Sequence, residues 1–299
     1  MNRNEVPVLT LEETDRFHFG DNQSSFVRST GHHLFHINRV ETYRDKLVFP
    51  LPPHRKITYD FIFLTKGSSV RSKGLSEFTI TANSFFFLPA YQITEHRSMS
   101  KDVEGFYVHF SPDIFQESGQ MKVIEQFSFY DFLTYPLVEV DQAAKERICR
   151  SLNDLLQVYQ DPNRKGYDQV IFKILDILTE ANAFYQEEGE VSKTAAAYLV
   201  NHYKDALSQK IYQLQKVSEY ADLLNVTPNH LNKCVKKITH KTAQELLNEM
   251  IIMEAKSLLK YTDLQVAEVA VRLCNQNPSN FSRFFKSQTG YSPKAYQTS

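Results

Sequence analysis

The sequence of 299 residues predicts an α+β protein with an N-terminal β-barrel or sandwich, a helical connector and a C-terminal all-α domain. Three observations lead to this fold class. Short runs rich in aromatic and β-branched residues fill the first part of the chain. Apolar residues spaced by three and four follow in the middle. One helix-turn-helix pattern is then written twice. The predicted boundaries are 1–140, 141–190 and 191–299.

The N-terminal segment contains strand-like runs at residues 57–64, 77–80, 85–88 and 105–110. Turn-forming residues such as Gly67, Gly74, Asn83 and Pro89 separate them. Short strands at close spacing, without a helical insert, are typical of a sandwich or a barrel. The segment is therefore expected to enclose its own apolar interior.

The connector is predicted to form two amphipathic helices. Their apolar residues make one stripe from Ala144 to Tyr159 and a wider one from Val170 to Phe184, with a break at Pro162. A stripe that wide packs against another surface. That surface is either the β domain of the same chain or a second copy of the chain in a homodimer. The polar stretch 187–190 is the predicted linker to the C-terminal domain.

The repeated pattern consists of two helices joined by a short turn. Its first copy covers residues 217–233 and its second copy residues 266–283. Two such helices, the second of them basic, are typical of a unit that places a recognition helix in the DNA major groove. The matched pairs are Pro228 with Pro278, Leu231 with Phe281, Lys233 with Arg283, Lys236 with Lys286 and Thr239 with Thr289.

Capping residues fix the expected helix starts. A capping side chain precedes a proline at Thr227-Pro228, Asn277-Pro278 and Ser292-Pro293. Residues 242–245 form a capping box that opens a long linker helix to about residue 260, and residues 262–265 are expected to cap the next helix in the same way. Gly290 stands where the last recognition helix must end.

Charge is distributed unevenly along the chain. Residues 191–299 contain 14 Lys and Arg against 8 Asp and Glu, whereas the other residues contain 20 against 27. The positive excess coincides with the repeat, as neutralisation of DNA phosphates requires. The alternative is that the polar faces of these helices contact only water and bind no DNA.

With the apolar residues of each unit turned inward, the outward positions of both recognition helices carry groups that donate to bases and phosphates. Arg283 is the strongest candidate for a base contact, and Lys236 and Lys286 for phosphate contacts. The full predicted DNA-binding set is Asn229, His230, Asn232, Lys233, Lys236, Lys237, Ser279, Asn280, Ser282, Arg283 and Lys286.

The stretch from Ala270 through Pro278, Arg283 and Gly290 to Tyr296 resembles the C-terminal signature of the AraC/XylS-type transcription regulators. The resemblance implies two tandem helix-turn-helix units joined by a linker helix, reading adjacent major-groove segments on one face of the duplex. It also implies a cupin-like N-terminal domain that senses a signal and supports dimerisation, and activation through contact with RNA polymerase.

The chain departs from that signature at two places. Cys274-Asn275 stands where the family usually has Gly-Phe, and an L residue such as Cys tolerates a positive φ poorly. The second unit is therefore expected to dock differently or to be less stable. Gln297 stands where the family has Arg, which removes one expected phosphate contact. In the first unit, Asn225 occupies the matching turn position and tolerates a positive φ.

The N-terminal domain carries no ligand signature of its own. Tyr59, Phe61, Phe63 and Phe87 either line a site for a small organic effector or form core. His54-Arg55-Lys56 lacks the second histidine of a cupin metal motif, and His32, His33 and His36 have mixed spacing, so no metal, cofactor or enzymatic activity is expected. The rival interpretations are a metal-dependent cupin enzyme fused to a helical interaction domain, and a protein-interaction module.

Three further features concern the compartment. The cysteines, at positions 149, 234 and 274, form no closely spaced pair, so neither a disulfide framework nor a zinc ribbon is expected. No apolar run approaches the roughly 20 residues of a membrane span. The N-terminus has no apolar core of a signal peptide. A cytoplasmic protein is predicted.

Overall fold

The computed structural model describes residues 8–10, 13–14, 34–74, 76–115, 123–131, 134–161, 166–185, 194–274 and 277–298. The chain separates into two compact units. One comprises the described residues between 8 and 185, and the other comprises those from 194 to 298. In the described residues, no helix combines the length and the apolar character that crossing a membrane requires.

Two five-stranded sheets form the N-terminal unit. Their strand orders are β1-β3-β8-β5-β6 and β10-β7-β4-β9-β2, and all neighbours are antiparallel except β1 and β3. The strands are β1 Val8–Leu9, β2 Phe35–Arg39, β3 Leu51–Lys56, β4 Tyr59–Lys66, β5 Ser69–Lys73, β6 Ser76–Ile80, β7 Ser84–Leu88, β8 Thr94–Met99, β9 Glu104–Phe110 and β10 Leu137–Glu139.

The second sheet is apolar on both faces, and each face packs on a different partner. Side chains alternate along a strand. In β4, Ile62 and Leu64 face the first sheet, in an apolar cluster that also contains Leu51 from that sheet. Phe61 and Phe63 face the other way and belong to a cluster with the connector helices. The fold therefore has three layers: sheet, sheet and helices.

The connector helices are α1 Gln142–Gln160 and α2 Asp168–Asn182. Asp141 caps α1 by accepting a hydrogen bond from the amide of Ala144 at 2.7 Å. The predicted stripes are buried, from Ala144 to Tyr159 in α1 and from Val170 to Ala181 in α2, within the cluster that contains Phe61 and Phe63. The packing of these stripes on the β domain of the same chain is thus present in the structure, whereas a dimer interface on these helices stays a prediction.

Several strands are not evident from the sequence pattern. β3 contains two prolines, which are unusual in strands because proline donates no ladder hydrogen bond. β5 and β8 have the sequences SVRSK and TEHRSM, whose polar side chains hide any apolar alternation. Arg71 of β5 lies opposite His96 of β8 in the strand register, and both side chains are buried.

The C-terminal unit is helical. α3 runs along Ala195–Lys210 and is capped by Thr194, whose hydroxyl accepts from the amide of Ala197 at 3.2 Å. The remaining helices are α4 Val217–Leu223, α5 Pro228–Thr239, α6 Ala243–Tyr261, α7 Val266–Cys274, α8 Pro278–Thr289 and α9 Pro293–Thr298. This order contains the two predicted helix pairs, α4 with α5 and α7 with α8, joined by the long α6.

Candidate nucleic-acid interface

The first helix pair is held by a tight turn and a small apolar core. Asn225 in the turn has φ 55°, as its sequence position predicts, and the amide of Val226 donates to the carbonyl of Ala221 at 3.0 Å. Ala221, Leu231 and Val235 are fully buried. Because Ala221 carries only a methyl group, α4 and α5 approach closely, and the opposite face of α5 is left to solvent.

The start of α5 is capped as predicted. The Thr227 hydroxyl accepts from the amide of His230 at 3.2 Å, and Pro228 occupies the first helical turn, where no amide hydrogen is needed. In the second pair, the Asn277 side chain accepts from the amide of Asn280 at 2.9 Å, again before a proline. The two recognition helices therefore begin with the same hydrogen-bond arrangement.

The second helix pair replaces aliphatic core residues with aromatic ones. Ala270, Leu273, Phe281 and Phe285 are fully buried. The rings of Phe281 and Phe285 lie 5.9 Å apart between centroids. The turn at residues 275–276 lies outside the described residues, as does the side chain of Cys274. The expected effect of Cys274-Asn275 on this unit therefore stays a prediction.

The duplication continues through the ends of both recognition helices. His240 and Gly290 each take a left-handed conformation, with φ 57° and 81°. The amide of His240 donates to the carbonyl of Lys236 at 3.1 Å, and that of Gly290 to Lys286 at 2.9 Å. Gly290 thus ends α8 as predicted. At the same place in the first unit, the sequence has a histidine.

The helices that follow the two units also begin alike. The Thr242 hydroxyl accepts from the amide of Glu245 at 3.1 Å, and the Ser292 hydroxyl from that of Ala295 at 3.2 Å. The Glu245 carboxylate closes the predicted capping box by accepting from the amide of Thr242 at 2.6 Å. That backbone hydrogen bond, followed by one from the Thr242 hydroxyl, lowers the pKa of the Glu245 carboxyl.

The expected cap at residues 262–265 is wrong. The Thr262 hydroxyl donates back to the carbonyl of Leu258 at 2.6 Å, so Thr262 ends α6 rather than starting α7. At the start of α7, the Glu268 carboxylate accepts from the amide of Gln265 at 2.7 Å. The sequence pattern does not show that Thr262, whose own backbone is extended, belongs to the end of the preceding helix.

The structure leaves most of the predicted DNA-binding side chains exposed. Asn232 and Ser282, which occupy equivalent places in the two repeats, are half-buried. The exposed members are Asn229, His230, Lys233, Lys236, Lys237, Ser279, Asn280, Arg283 and Lys286.

Asn232 differs from the exposed members of the predicted set, because its side chain is half-buried and already forms a hydrogen bond within the protein. Its Oδ1 atom accepts from the amide of Ala243 at 3.0 Å, at the first residue of α6. The acceptor that would recognise an adenine is therefore used inside the protein. Helical periodicity places Asn232 next to the buried Leu231, but it does not show that the N-terminus of another helix lies within reach.

The basic side chains on the recognition helices have no acidic partner among the described residues of this unit. Lys233, Lys236 and Lys237 on α5 and Arg283 and Lys286 on α8 form no ion pair within 4.0 Å. Their charge is not neutralised internally, so it is available to phosphates or base edges.

A family model described as a helix-turn-helix domain matches residues 220–299, which include the second repeat and all but the first three residues of the first repeat. The uncharacterized HTH-type transcriptional regulator YisR of Bacillus subtilis is 21% identical over 255 residues, covering 80% of this chain and 85% of YisR. The HTH-type transcriptional activator RhaS of Escherichia coli strain SMS-3-5 is 19% identical over 254 residues, covering 81% and 86%.

This chain carries a helix-turn-helix domain at residues 220–299 and, as a transcription regulator, is similar to the AraC/XylS type. The predicted resemblance, the predicted α+β fold class and the predicted regulatory function are thereby confirmed. Among solved structures, the regulator is similar to ToxT from Vibrio cholerae O395, at 15% identity and a TM-score of 0.42, over 88% of this chain and 97% of ToxT.

Some supporting contacts of the regulator's helical unit were not evident from the sequence. Tyr203 on α3 is fully buried, and its hydroxyl donates to the carbonyl of Ala243 at 2.8 Å, beside the cap from Asn232. Gln297, where the family signature has Arg, donates through its side-chain amide to the carbonyl of Leu264 at 3.0 Å. Only the aromatic character of Tyr203 in a helical stripe signalled its burial.

The four aromatic residues proposed as an effector lining lie in the layer between the second sheet and the connector helices. Phe61, Phe63 and Phe87 are fully buried, and Tyr59 packs against the same cluster. The structure therefore places them in the core, the other interpretation of the sequence. Aromatic character alone does not show which face of a strand a side chain occupies, because side chains alternate between the two faces of the sheet.

Of the histidines considered as metal ligands, His32 and His33 lie outside the described residues. His36 uses both ring nitrogens in hydrogen bonds, to the Tyr159 hydroxyl and the Asn38 amide, each at 2.5 Å. No cluster of three His, Cys, Asp or Glu suited to a metal occurs in the described ranges.

Proposed function

We propose that the regulator binds double-stranded DNA sequence-specifically by placing α5 and α8 in successive major-groove segments on one face of the duplex. One observation carries this proposal: both recognition helices begin and end with equivalent caps, and both present exposed basic and amide side chains that have no acidic partner in the described part of the unit. Equivalent scaffolds with different exposed side chains suit two adjacent half-sites of different sequence.

Five of the exposed residues have proposed roles that follow from their chemistry. Arg283 is suited to donate two hydrogen bonds to the O6 and N7 atoms of a guanine. Asn229 and Asn280, in the first turns of their helices, are suited to an adenine. Lys236 and Lys286 supply phosphate contacts. Asn232 is left out of the base-reading group because its acceptor is used by α6.

The regulator is proposed to activate transcription by contact with RNA polymerase. Support comes from RhaS, which is named a transcriptional activator and aligns with most of this chain. The N-terminal unit is proposed to sense a small molecule and to form a homodimer through the solvent face of α1 and α2. Phe172 on α2 is 65% exposed and is an apolar residue available on that face.

Selection of binding sites from random duplex DNA, followed by titration at several salt concentrations, tests the proposal. The expected motif has two segments separated by about one helical turn, or about 10 base pairs. Affinity is expected to fall steeply as salt rises, because phosphate contacts release counterions. An unenriched pool, or binding that does not depend on salt, would contradict the proposal and favour a protein-interaction module.

A further inference from the structure

Basic side chains are buried between the two sheets of the N-terminal unit. Lys56 on β3, Arg71 on β5 and His96 on β8 all have exposures of 6% or less. Tyr107 of the opposite sheet lies against two of them: its ring centroid is 4.8 Å from the Lys56 nitrogen and 5.1 Å from the Arg71 guanidinium carbon. We name Lys56, Arg71 and His96 the inner basic cluster.

Asp60, an acidic residue buried beside the inner basic cluster, already pairs with Lys56. Asp60 accepts from the Lys56 ammonium at 2.6 Å and from the hydroxyls of Tyr107 at 2.7 Å and Thr58 at 2.8 Å. This carboxylate is thus bonded by three donors, of which only Lys56 is a cation. The lysine charge is balanced and the arginine charge is not.

Arg71 is the unbalanced member of the inner basic cluster. It is 6% exposed, and its Nε atom has no hydrogen-bond partner among the residues that the structure describes. Within the described part of the chain, no carboxylate lies within 4.0 Å of its guanidinium. A guanidinium stays charged at any ordinary pH, so it cannot escape this environment by losing a proton. Buried charges in proteins are normally paired.

The surroundings of Arg71 favour an anion. His96 lies opposite Arg71 in the strand register, and its Nε2 atom is 2.9 Å from the Ser69 hydroxyl. Burial, and then the charges of Arg71 and Lys56, lower the pKa of His96, which is consistent with a positive local potential. Met99, Leu51 and Phe86 belong to the apolar cluster of the same interior, so apolar side chains surround the charged groups.

We infer that Arg71 binds the carboxylate or phosphate group of a small effector molecule in the space between the two sheets. The guanidinium offers parallel N–H groups that match both oxyanions, and Ser69 and Tyr107 lie beside it. The apolar interior takes the body of the ligand. This inference rests on the proposed sensing role of the N-terminal unit and gives that role a ligand class.

Calorimetric melting of the full-length chain tests the inference. The probes are sodium acetate, benzoate, hexanoate and inorganic phosphate, each compared with chloride at equal ionic strength. At least one probe is expected to raise the melting temperature by about 2–4 °C, because ligand that binds only the folded state stabilises it. A carboxylate response assigns an organic acid, and a response to phosphate alone assigns a phosphorylated ligand.

Three variants test whether Arg71, and no other residue, is responsible for the rise in melting temperature. Arg71→Gln is expected to abolish the rise, and Arg71→Lys, which keeps the charge without the planar fork, to reduce it. Arg97→Gln is the matched control: Arg97 lies on the neighbouring β8, is half exposed and pairs with Glu77 at 2.7 Å. It should keep the full rise. If Arg71→Gln does not fold, the comparison between Arg71→Lys and the control decides.

Equal melting in all salts, or a full rise that persists in Arg71→Gln or Arg71→Lys, would overturn the inference. Phosphate could also bind to the recognition helices. The Arg283→Ala variant tests for this, because the inference requires that it keep the full rise in melting temperature.

Site selection with ligand-free Arg71→Gln is run in parallel. Enrichment of the wild-type DNA motif without any anion response would refute the ligand class alone. Loss of enrichment in the wild type would refute the proposed function itself.

Discussion

The two helix-turn-helix units have the same hydrogen bonds at their helix ends but differ in their cores and in their exposed side chains. Both recognition helices start with a side-chain cap before a proline and end in a left-handed residue. The first has an aliphatic core and is fastened to α6 by Asn232. The second has an aromatic core around Phe281 and ends at Gly290. The hydrogen bonds that define the helix ends are thus kept in both copies, whereas the core and the exposed side chains have diverged.

The largest expected difference between the units lies in their cores. Phe281→Ala is expected to lower the free energy of unfolding by about 3–5 kcal/mol, since it removes a fully buried ring and leaves a cavity. Leu231→Ala, at the equivalent position, should cost about 2–5 kcal/mol. Urea unfolding followed by circular dichroism measures both. Val271→Ala, at an exposed position, serves as the control, and a loss below about 1 kcal/mol for Phe281→Ala would show that the ring is not core.

Removal of the exposed charges should separate base contacts from phosphate contacts. Arg283→Ala is expected to cost about 1–3 kcal/mol of specific binding and to relax the preference at one base, because a bidentate pair is lost. Lys286→Ala should weaken binding to all sequences about equally and reduce the salt dependence by about one counterion. Titrations of the selected site and of single-base variants measure this. An unchanged base preference in Arg283→Ala would remove that residue's assignment.

Asn232 and Ser282 test whether equivalent positions have kept equivalent roles. Asn232→Ala should cost about 1 kcal/mol of stability, since the amide of Ala243 loses its cap, and should leave the base preference unchanged. Ser282→Ala should have a smaller effect on stability. Thermal unfolding and site selection on the same protein measure the two readouts. A changed base preference with unchanged stability in Asn232→Ala would restore its original assignment as a DNA contact.

The helix ends give the smallest expected effects, with opposite signs. Gly290→Ala should destabilise the second unit by about 1 kcal/mol, because an L residue is strained at φ 81°, although no atom lies within 4 Å of the added methyl group. His240→Gly should stabilise the first unit by roughly 0.5–1 kcal/mol, because it relieves the same strain at φ 57°. Chemical denaturation measures both. Changes of the same sign in the two variants would contradict the equivalence of the two ends.

The comparison also shows which parts of the molecule local sequence determines. Caps at Thr227, Asn277 and Thr242 were predictable because the side chain, the amide it serves and the following proline or glutamate lie within four residues. The contact from Asn232 to Ala243 spans eleven residues and depends on how two helices meet. Local pattern therefore located the helices and their ends but not the ties between them.

In the N-terminal unit, the type of a residue does not show which face of the sheet its side chain occupies; its position along the strand decides that. The phenylalanines of β4 are predicted either to line an effector site or to form core, and they pack in the core with the connector helices. Polar residues such as Arg71 and His96 on β5 and β8, in contrast, are buried in the space between the sheets. A buried polar face breaks the apolar alternation on which strand prediction depends, so the same residues hid both the strands and the cluster.

The central claim is that two recognition helices occupy successive major-groove segments on one side of the duplex. A dimethyl sulfate footprint on the selected DNA site tests it most directly, because guanine N7 lies in the major groove. The account predicts two protected patches, separated by about 10 base pairs on one face, of which Arg283→Ala loses only one. A single patch, or patches on opposite faces, would contradict it.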